Sequence, residues 1–496
     1  MSEHAKSDLM ELTIADVRQG LETRRFTARG LVDHYLDRIE TYDRNGPRLN
    51  SVISLSETVR DEAEALDRTF AERGAVGPLH GVTLLVKDQV DVAGMPTTMG
   101  SVLFEHHRPE RTSFALAKLK RAGALVLGKT TLGELGAGDT HGSLFGSTKN
   151  AYDPLRTAGG SSGGSGAAVS ANFCTAAIGQ EGFSSIRRPA AWNGIAGMRP
   201  TAGLVSRTGV YGGWPAINGA LGPMARSVSD LAQLLDTMVG YDDADPLTAM
   251  GARRIAPSYA AGLHKMALKG ARIGIIRESC GSGSDPFSED FAKVDAVFDH
   301  AVEELRTAGS TIVDPIVIPD LNALLATRCK SETEDAEAFR FYVEGCKTSP
   351  FATREEAMTS ELFKAVSRGA QARWRVVHEP KRHHAYLEAR ETLMIRLHQV
   401  MAAYELDAIV HKAVEHQPTL IEEGINPPYR DQTGAIHINT FLVYVPSVVV
   451  PCGFTSDGLP VGITFLGRPY DDANMLRYAF AYEQATHHRR IPSLLS

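Results

Sequence analysis

Three short stretches hold residue types that can move protons and attack carbonyls. Lys87 closes the apolar run Val82-Thr-Leu-Leu-Val-Lys87. An amine at the end of such a run is buried or held at the mouth of a sheet. Burial penalises the cation and lowers its pKa toward that of a working base. The ordinary alternative is a strand-end lysine paired with Asp88 or Asp91, its stem laid along apolar surface. Gly159-Gly-Ser161-Ser-Gly-Gly-Ser165-Gly166 sets hydroxyls among glycines, ahead of the small residues 167–171. Such a loop can turn amides and hydroxyls toward a reacting carbonyl, although a flexible linker has the same composition. Gly179-Gln-Glu-Gly-Phe-Ser-Ser185-Ile-Arg-Arg-Pro189 is the third stretch, and alone it reads as any Gly-containing loop in a core.

Other motifs fail on context. Gly123–Thr130 matches the phosphate-loop string GxxxxGK[ST], but a helix precedes it and the intervening ALVL is itself strand-like. The pairs His106–His107, His383–His384 and His487–His488 lack metal-ligand spacing, so no metal or cofactor is expected. Gly159–Gly163 also fits GxSxG, which would make Ser161 the nucleophile of an α/β-hydrolase esterase with a histidine base. The turn-like residues before it are a poor strand for a nucleophile elbow.

These stretches need a scaffold. Val82–Val86, Ala124–Leu127, Gly270–Ile276, Ile312–Ile318, Leu406–His411 and Tyr444–Pro451 read as strands, with Pro315 marking an edge. Thr27–Tyr42, the Val59–Phe70 pattern ended by Gly74, Ser113–Arg121, Asp290–Ala308 and Ala473–Thr486 read as helices. Leu321–Tyr404 is mostly helical and highly charged. The alternation predicts an α/β fold with a large mixed, mainly parallel central sheet covered by helices. No repeat or Pro-rich linker divides the 496 residues. We therefore expect a single domain over 1–496, with a variable, helix-rich specificity region at about 280–440.

Lys plus Arg is 52 and Asp plus Glu is 59, giving a net charge of −7. That balance argues against a nucleic-acid partner. No apolar run is long enough to span a membrane, and the polar first residues show no leader, so a cytoplasmic location is expected. The five cysteines form no CxxC pair, in keeping with reduced thiols. Of 46 glycines, 20 fall in Gly133–Gly222, which carries only 10 charged residues. Low charge there suits a desolvated site.

Taken together, the three stretches resemble the amidase signature family. Pro78–Asp88 matches its lysine segment, Gly159–Ser165 its Gly/Ser signature, and Gly179–Pro189 with Arg199-Pro-Thr-Ala-Gly203 its nucleophile block. Val450-Pro-Cys-Gly453 and Gly458–Gly462 match its C-terminal block. Ser161 and Ser185 stand 24 positions apart, as the family requires. The resemblance implies the amidase signature fold, Ser185 as nucleophile, Ser161 as a bridging serine after a non-proline cis peptide, and Lys87 as base. It implies backbone amides of Gly182, Phe183 and Ser184 as an oxyanion hole. It also implies a hydrolase of a linear C–N bond in an amide, with carbamates or aryl amides as further candidates. The expected partners are a small-molecule amide or carbamate and a second copy of the chain, as a homodimer. The competing reading within the family is the amidase component of an amidotransferase built from several subunits.

The chain also departs from the family. Gln180 and Glu181 stand for Thr and Asp, and Phe183 and Ser184 replace two glycines beside Ser185. The Phe183 ring either packs into the core or reshapes the pocket. Thr131 replaces Asn, and Lys412-Ala413 replaces Thr-Pro. Glu332, Arg340, Trp374 and His378 are candidate substrate contacts from the helical region.

Overall fold

The computed structural model describes residues 9–212, 219–329 and 332–495, the side chains of 332–334 excepted. The apolar runs become one sheet of eleven strands among the described residues. They are β1 (Val52–Leu55), β2 (Thr83–Lys87), β3 (Leu125–Thr130), β4 (Ala176–Glu181), β5 (Ala196–Arg199), β6 (Ala220–Ala225), β7 (Arg272–Ile276), β8 (Thr311–Ile316), β9 (Ala408–Lys412), β10 (Ser447–Phe454) and β11 (Pro460–Leu466). The order across the sheet is β1-β3-β2-β4-β6-β5-β10-β11-β9-β7-β8.

The sheet is large, mixed and helix-flanked, as expected. Parallel pairing is less dominant than the helix–strand alternation suggests. It is confined to β3-β2-β4 and β9-β7-β8, while the remaining neighbours run antiparallel. Strand β4 closes the first parallel group, and β5, β6 and β11 lie between the two. β4, β5 and β6 are rich in Ala and Gly and carry little of the apolar signal that marks β2, while β11 sits in the C-terminal block. Every residue of β2, β3 and β4 is buried, as covered faces require. β8 lies at the sheet's edge, where Pro315 removes no ladder donor.

Helix ends follow local chemistry. The Thr27 hydroxyl accepts the Gly30 amide at 3.0 Å and caps Ala28–Arg38. Ser288 caps Glu289–Thr307 in the same way, at 3.2 Å from the Phe291 amide. Phe291, Val294, Phe298, Ala301 and Leu305 bury one face of that helix.

The helical region carries its own apolar cluster. Phe339, Tyr342, Phe363 and Trp374 pack on Met99, Leu103, Phe104, Leu135 and Tyr211 from the first half of the chain. Buried polar links reinforce the joint. Tyr342 donates to Asp91 at 2.8 Å, and its hydroxyl lies 2.9 Å from His107 Nε2. This clamp brings Arg328 and Arg373 to the cavity beside Ser185. No helix among the described residues is long and apolar enough to cross a membrane.

Candidate active site

Lys87 is the last residue of β2, and its side chain is fully buried. β2 runs parallel to β4, with Val86 opposite Ile178. That register sets the Lys87 amine beside the end of β4, where Nζ donates to Gln180 O at 3.0 Å. Nζ also lies 2.7 Å from Ser161 Oγ. Burial foremost, then the Arg373 charge, hold the Lys87 amine well below the usual lysine range, and Glu181 offsets this only in part. Asp88 is not its partner. Asp88 pairs with Lys129 at 3.1 Å, both wholly buried.

Ser161 follows a cis Gly160–Ser161 peptide and precedes the helix Gly163–Ser170. The chain passes tightly here. A Cβ on Gly160 would stand 2.3 Å from Gly138 O, so no side chain fits. Arg188 donates to Gly160 O at 2.8 Å and pairs with Asp139 at 2.9 Å. The helix is built from small, buried residues. Ser165 Oγ lies 2.8 Å from Thr130 Oγ1, and Ser162 Oγ donates to Gln180 O at 3.2 Å. The loop is therefore a packed element rather than a linker.

Ser185 sits in the turn between β4 and the helix Arg187–Trp192. Its Oγ lies 3.0 Å from Ser161 Oγ, and its carbonyl accepts the Ser162 amide at 3.1 Å. Glu181 ties the turn down. Its carboxylate accepts the amides of Ile186 and Arg187 at 2.9 and 3.0 Å and pairs with Arg187 at 2.8 Å. Burial alone would raise its pKa, but Arg187, Arg199 and the two amides bring it below the usual carboxylate value.

The structure thus joins Lys87, Ser161 and Ser185 into one hydrogen-bonded chain. Among the described residues the amides of Gly182, Phe183, Ser184 and Ser185 donate no hydrogen bond. Phe183 and Ser184 have no positive φ, so their backbone needs no glycine. The Phe183 ring goes to the cavity wall, stacked on His437 at 4.7 Å. The cavity holds about 380 Å³ and is walled by Gln89, Phe183, Ser185, Tyr211, Arg328 and His437, among others.

The other sequence candidates fall elsewhere. Arg340 is exposed and pairs with Glu337 and Glu344. Trp374 lies behind the wall and donates to Tyr211 Oη at 3.2 Å. His378 lies beside His383, the ring centres 5.5 Å apart and the rings tilted, and it does not line the cavity. The Glu332 side chain lies outside the described residues. Thr131 packs on Thr148 at 2.7 Å, and Lys412 pairs with Asp295 at 2.7 Å. Gly128-Lys129-Thr130 is part of β3, not a phosphate loop. Among the described residues no cluster of His, Cys, Asp and Glu could hold a metal. Sequence reading missed Arg328, Arg373, Asp431 and His437 at the cavity. They come from segments without a shared motif, and only the fold gathers them.

Known proteins agree with this architecture. The amidase family model matches residues 30–476. The A-type subunit of glutamyl-tRNA(Gln) amidotransferase from Thermosynechococcus vestitus is 32% identical, over 97% of this chain and 99% of its own length. Its chloroplastic/mitochondrial counterpart from Zea mays is 32% identical, over 98% and 91%. The crystal structure of native peptide amidase from Stenotrophomonas maltophilia superposes with a TM-score of 0.85, at 32% identity over 98% and 99% of the two chains.

One expectation is overturned. A small-molecule substrate, a homodimer and the absence of nucleic acid were anticipated from composition and resemblance. The curated relatives are instead named as one subunit of a larger enzyme directed at a tRNA. Net charge reports on the whole surface, and it says nothing of which part of an assembly would hold the RNA. With a family model over most of its length and relatives at 32% identity along nearly all of it, the chain belongs to the amidase signature family of C–N hydrolases.

Proposed function

We propose that this chain cleaves a carboxamide C–N bond through an acyl-enzyme on Ser185. The unbroken Lys87–Ser161–Ser185 contact is the observation that carries this reading. A serine hydroxyl is too weak an acid to attack an amide unaided. Neutral Lys87 takes the Ser161 proton as Ser161 takes that of Ser185. Ser185 Oγ then bonds to the carbonyl carbon. The amides of Gly182, Phe183 and Ser184 receive the oxyanion. The proton returns along the same path to the leaving nitrogen, and the C–N bond breaks. Water repeats the sequence on the acyl-enzyme and releases the acid. Carbamates and aryl amides are open to the same steps.

Labelling with a fluorophosphonate, followed by peptide mapping, tests the assignment. The adduct is expected on Ser185, and an adduct confined to Ser161 would overturn it. The esterase alternative has little left to rest on. Among the described residues no histidine hydrogen-bonds Ser161, and no strand leads into Gly159–Gly163.

The relatives favour a specific setting, in which the chain acts as the A-type subunit of a glutamyl-tRNA(Gln) amidotransferase. Co-expressed with the remaining subunits of such an enzyme, it should co-elute with them and support amidation of glutamyl-tRNA(Gln). A chain that stays separate and inert in that assay would remove this setting but not the hydrolysis. We further assign residues 280–440, within one domain of 1–496, to substrate selection. The buried cysteines, none in a disulfide among the described residues, suit a reducing compartment such as the cytoplasm.

A further inference from the structure

Arg188 touches both serine-bearing segments, and no step of the proposed reaction uses it. It stands in the helix Arg187–Trp192, directly after the turn that carries Ser185. Its amide donates to Ser184 O at 2.9 Å, so its main chain is fixed to the residue before Ser185. Its side chain reaches the other segment. Nη2 and Nε donate to Gly160 O at 2.8 and 3.2 Å. The next residue is Ser161, whose Oγ must stay between Lys87 Nζ and Ser185 Oγ. One residue therefore sets the Ser161 loop against the Ser185 turn.

The guanidinium is buried, with 1% of the side chain exposed. A cation in such a place needs a counter-ion. Asp139 supplies it at 2.9 Å. The Trp192 ring, 5.5 Å from the guanidinium carbon, and Gly138 O, 3.4 Å from Nη2, confine it further. Asp139 is itself held from another element. Its amide donates to Asp431 at 2.7 Å, and its Oδ2 accepts the Gln432 amide at 3.5 Å. Asp431 and Gln432 belong to the cavity wall. The contacts thus run from that wall through Asp139 and Arg188 to the carbonyl beside Ser161.

We propose that Arg188 is a positioning residue for Ser161, and that the Asp139 carboxylate acts through it. The inference rests on the Lys87–Ser161–Ser185 reading and adds what holds the middle member in place. Proton transfer through Ser161 depends on two short contacts, and a misplacement of about 1 Å costs on the order of 10²-fold in rate. A planar guanidinium fixes its acceptor with two donors, where an ammonium offers a single point of charge.

The test follows Ser185 labelling by an alkyl fluorophosphonate to saturation, which separates binding of the probe (KI) from the chemical step (kinact). Burial foremost raises the Asp139 pKa, Arg188 pulls it back, and Asp431 adds to the rise, leaving it at about 7. Rates are therefore compared at about pH 8.5, where the carboxylate is ionised. Denaturant titration first establishes a temperature at which every variant is folded. Arg188→Met should lower kinact by about 100-fold and leave KI within about twofold. Arg188→Lys should recover part of that loss. Asp139→Asn, which keeps the shape and removes the charge, should lower kinact by about 10-fold. The double variant should be no slower than Arg188→Met, since Asp139 acts through Arg188. If Arg188→Met does not fold, Arg188→Lys and Asp139→Asn decide, and wild-type kinact in both overturns the inference. So does a loss confined to KI, and so does a double variant whose loss is the product of the two single losses. A wild type that labels elsewhere than Ser185 would instead sink the proposed nucleophile.

Discussion

Replacing Lys87 by Met separates catalysis from stability. Met keeps the length and most of the volume of a wholly buried side chain, so packing strain stays small. The variant loses the bonds to Ser161 Oγ and Gln180 O, at about 1 kcal/mol each. It also sheds the burden of an amine whose cation is disfavoured by burial. The two effects oppose, and folding free energy at pH 7 should stay within about 2 kcal/mol of wild type. The reaction has no such offset. Loss of the base should lower kcat/KM by about 10²–10⁴-fold, which corresponds to roughly 3–5 kcal/mol of barrier. The pH dependence gives an independent reading. Between Lys87's lowered folded pKa and the ordinary lysine value of 10.5, the unfolded chain binds a proton that the folded chain does not. Wild-type stability therefore rises with pH through that window, by up to about 1.4 kcal/mol per pH unit, and is lost as pH falls. Lys87→Met should lack that slope. Denaturant titrations of both proteins from neutral to alkaline pH, beside amide hydrolysis rates, supply the comparison. Activity within tenfold of wild type would refute the relay. Parallel stability curves would refute the depressed amine.

Ser161→Ala removes the hydroxyl that joins Lys87 to Ser185, so kcat/KM should fall by about 10³-fold and fluorophosphonate labelling of Ser185 should slow in step; unchanged labelling would place the bridge elsewhere. Lys129→Ala breaks a wholly buried pair with Asp88 and should cost about 3–5 kcal/mol in a denaturant titration. Glu181→Gln should loosen the turn that carries Ser185 and lower both stability and turnover. Because the Glu181 carboxyl titrates below its usual range, wild-type stability is kept above that range and lost as pH falls through the lowered pKa, and the variant should not show that acid-side loss.

The Lys87–Ser161–Ser185 contact was legible because its members sit in short blocks of unusual composition. The VTLLVK run states both a strand and a buried amine. The Gly/Ser loop and the Ser185 stretch repeat a known spacing. The cavity wall was not legible. Phe183 meets His437 and Arg328 only through tertiary packing across more than 100 residues, and nothing in their local sequence marks them as neighbours. Arg340 and His378 do not line the cavity: Arg340 sits on the exposed face of its helix, since charge on a helix does not disclose which face turns inward, and His378 lies in the loop between two helices. β4 and β6, read as AAIGQE and ALGPMA, hid among small residues whose burial comes from the layers above and below them.

The amine of Lys87 and the carbonyl of Gln180 belong to adjacent strands, so their separation is governed by the ladder spacing of the sheet, about 4.8 Å between neighbours. Phe183, Arg328 and His437 lie outside that ladder. On the proposed assignment, the cavity wall can therefore change while the separation of Lys87 and Gln180 stays set by the sheet. For an engineer, the stretch from Leu321 to Ala403 is the natural unit to exchange between relatives, with Phe183 and His437 as the two contacts to carry along.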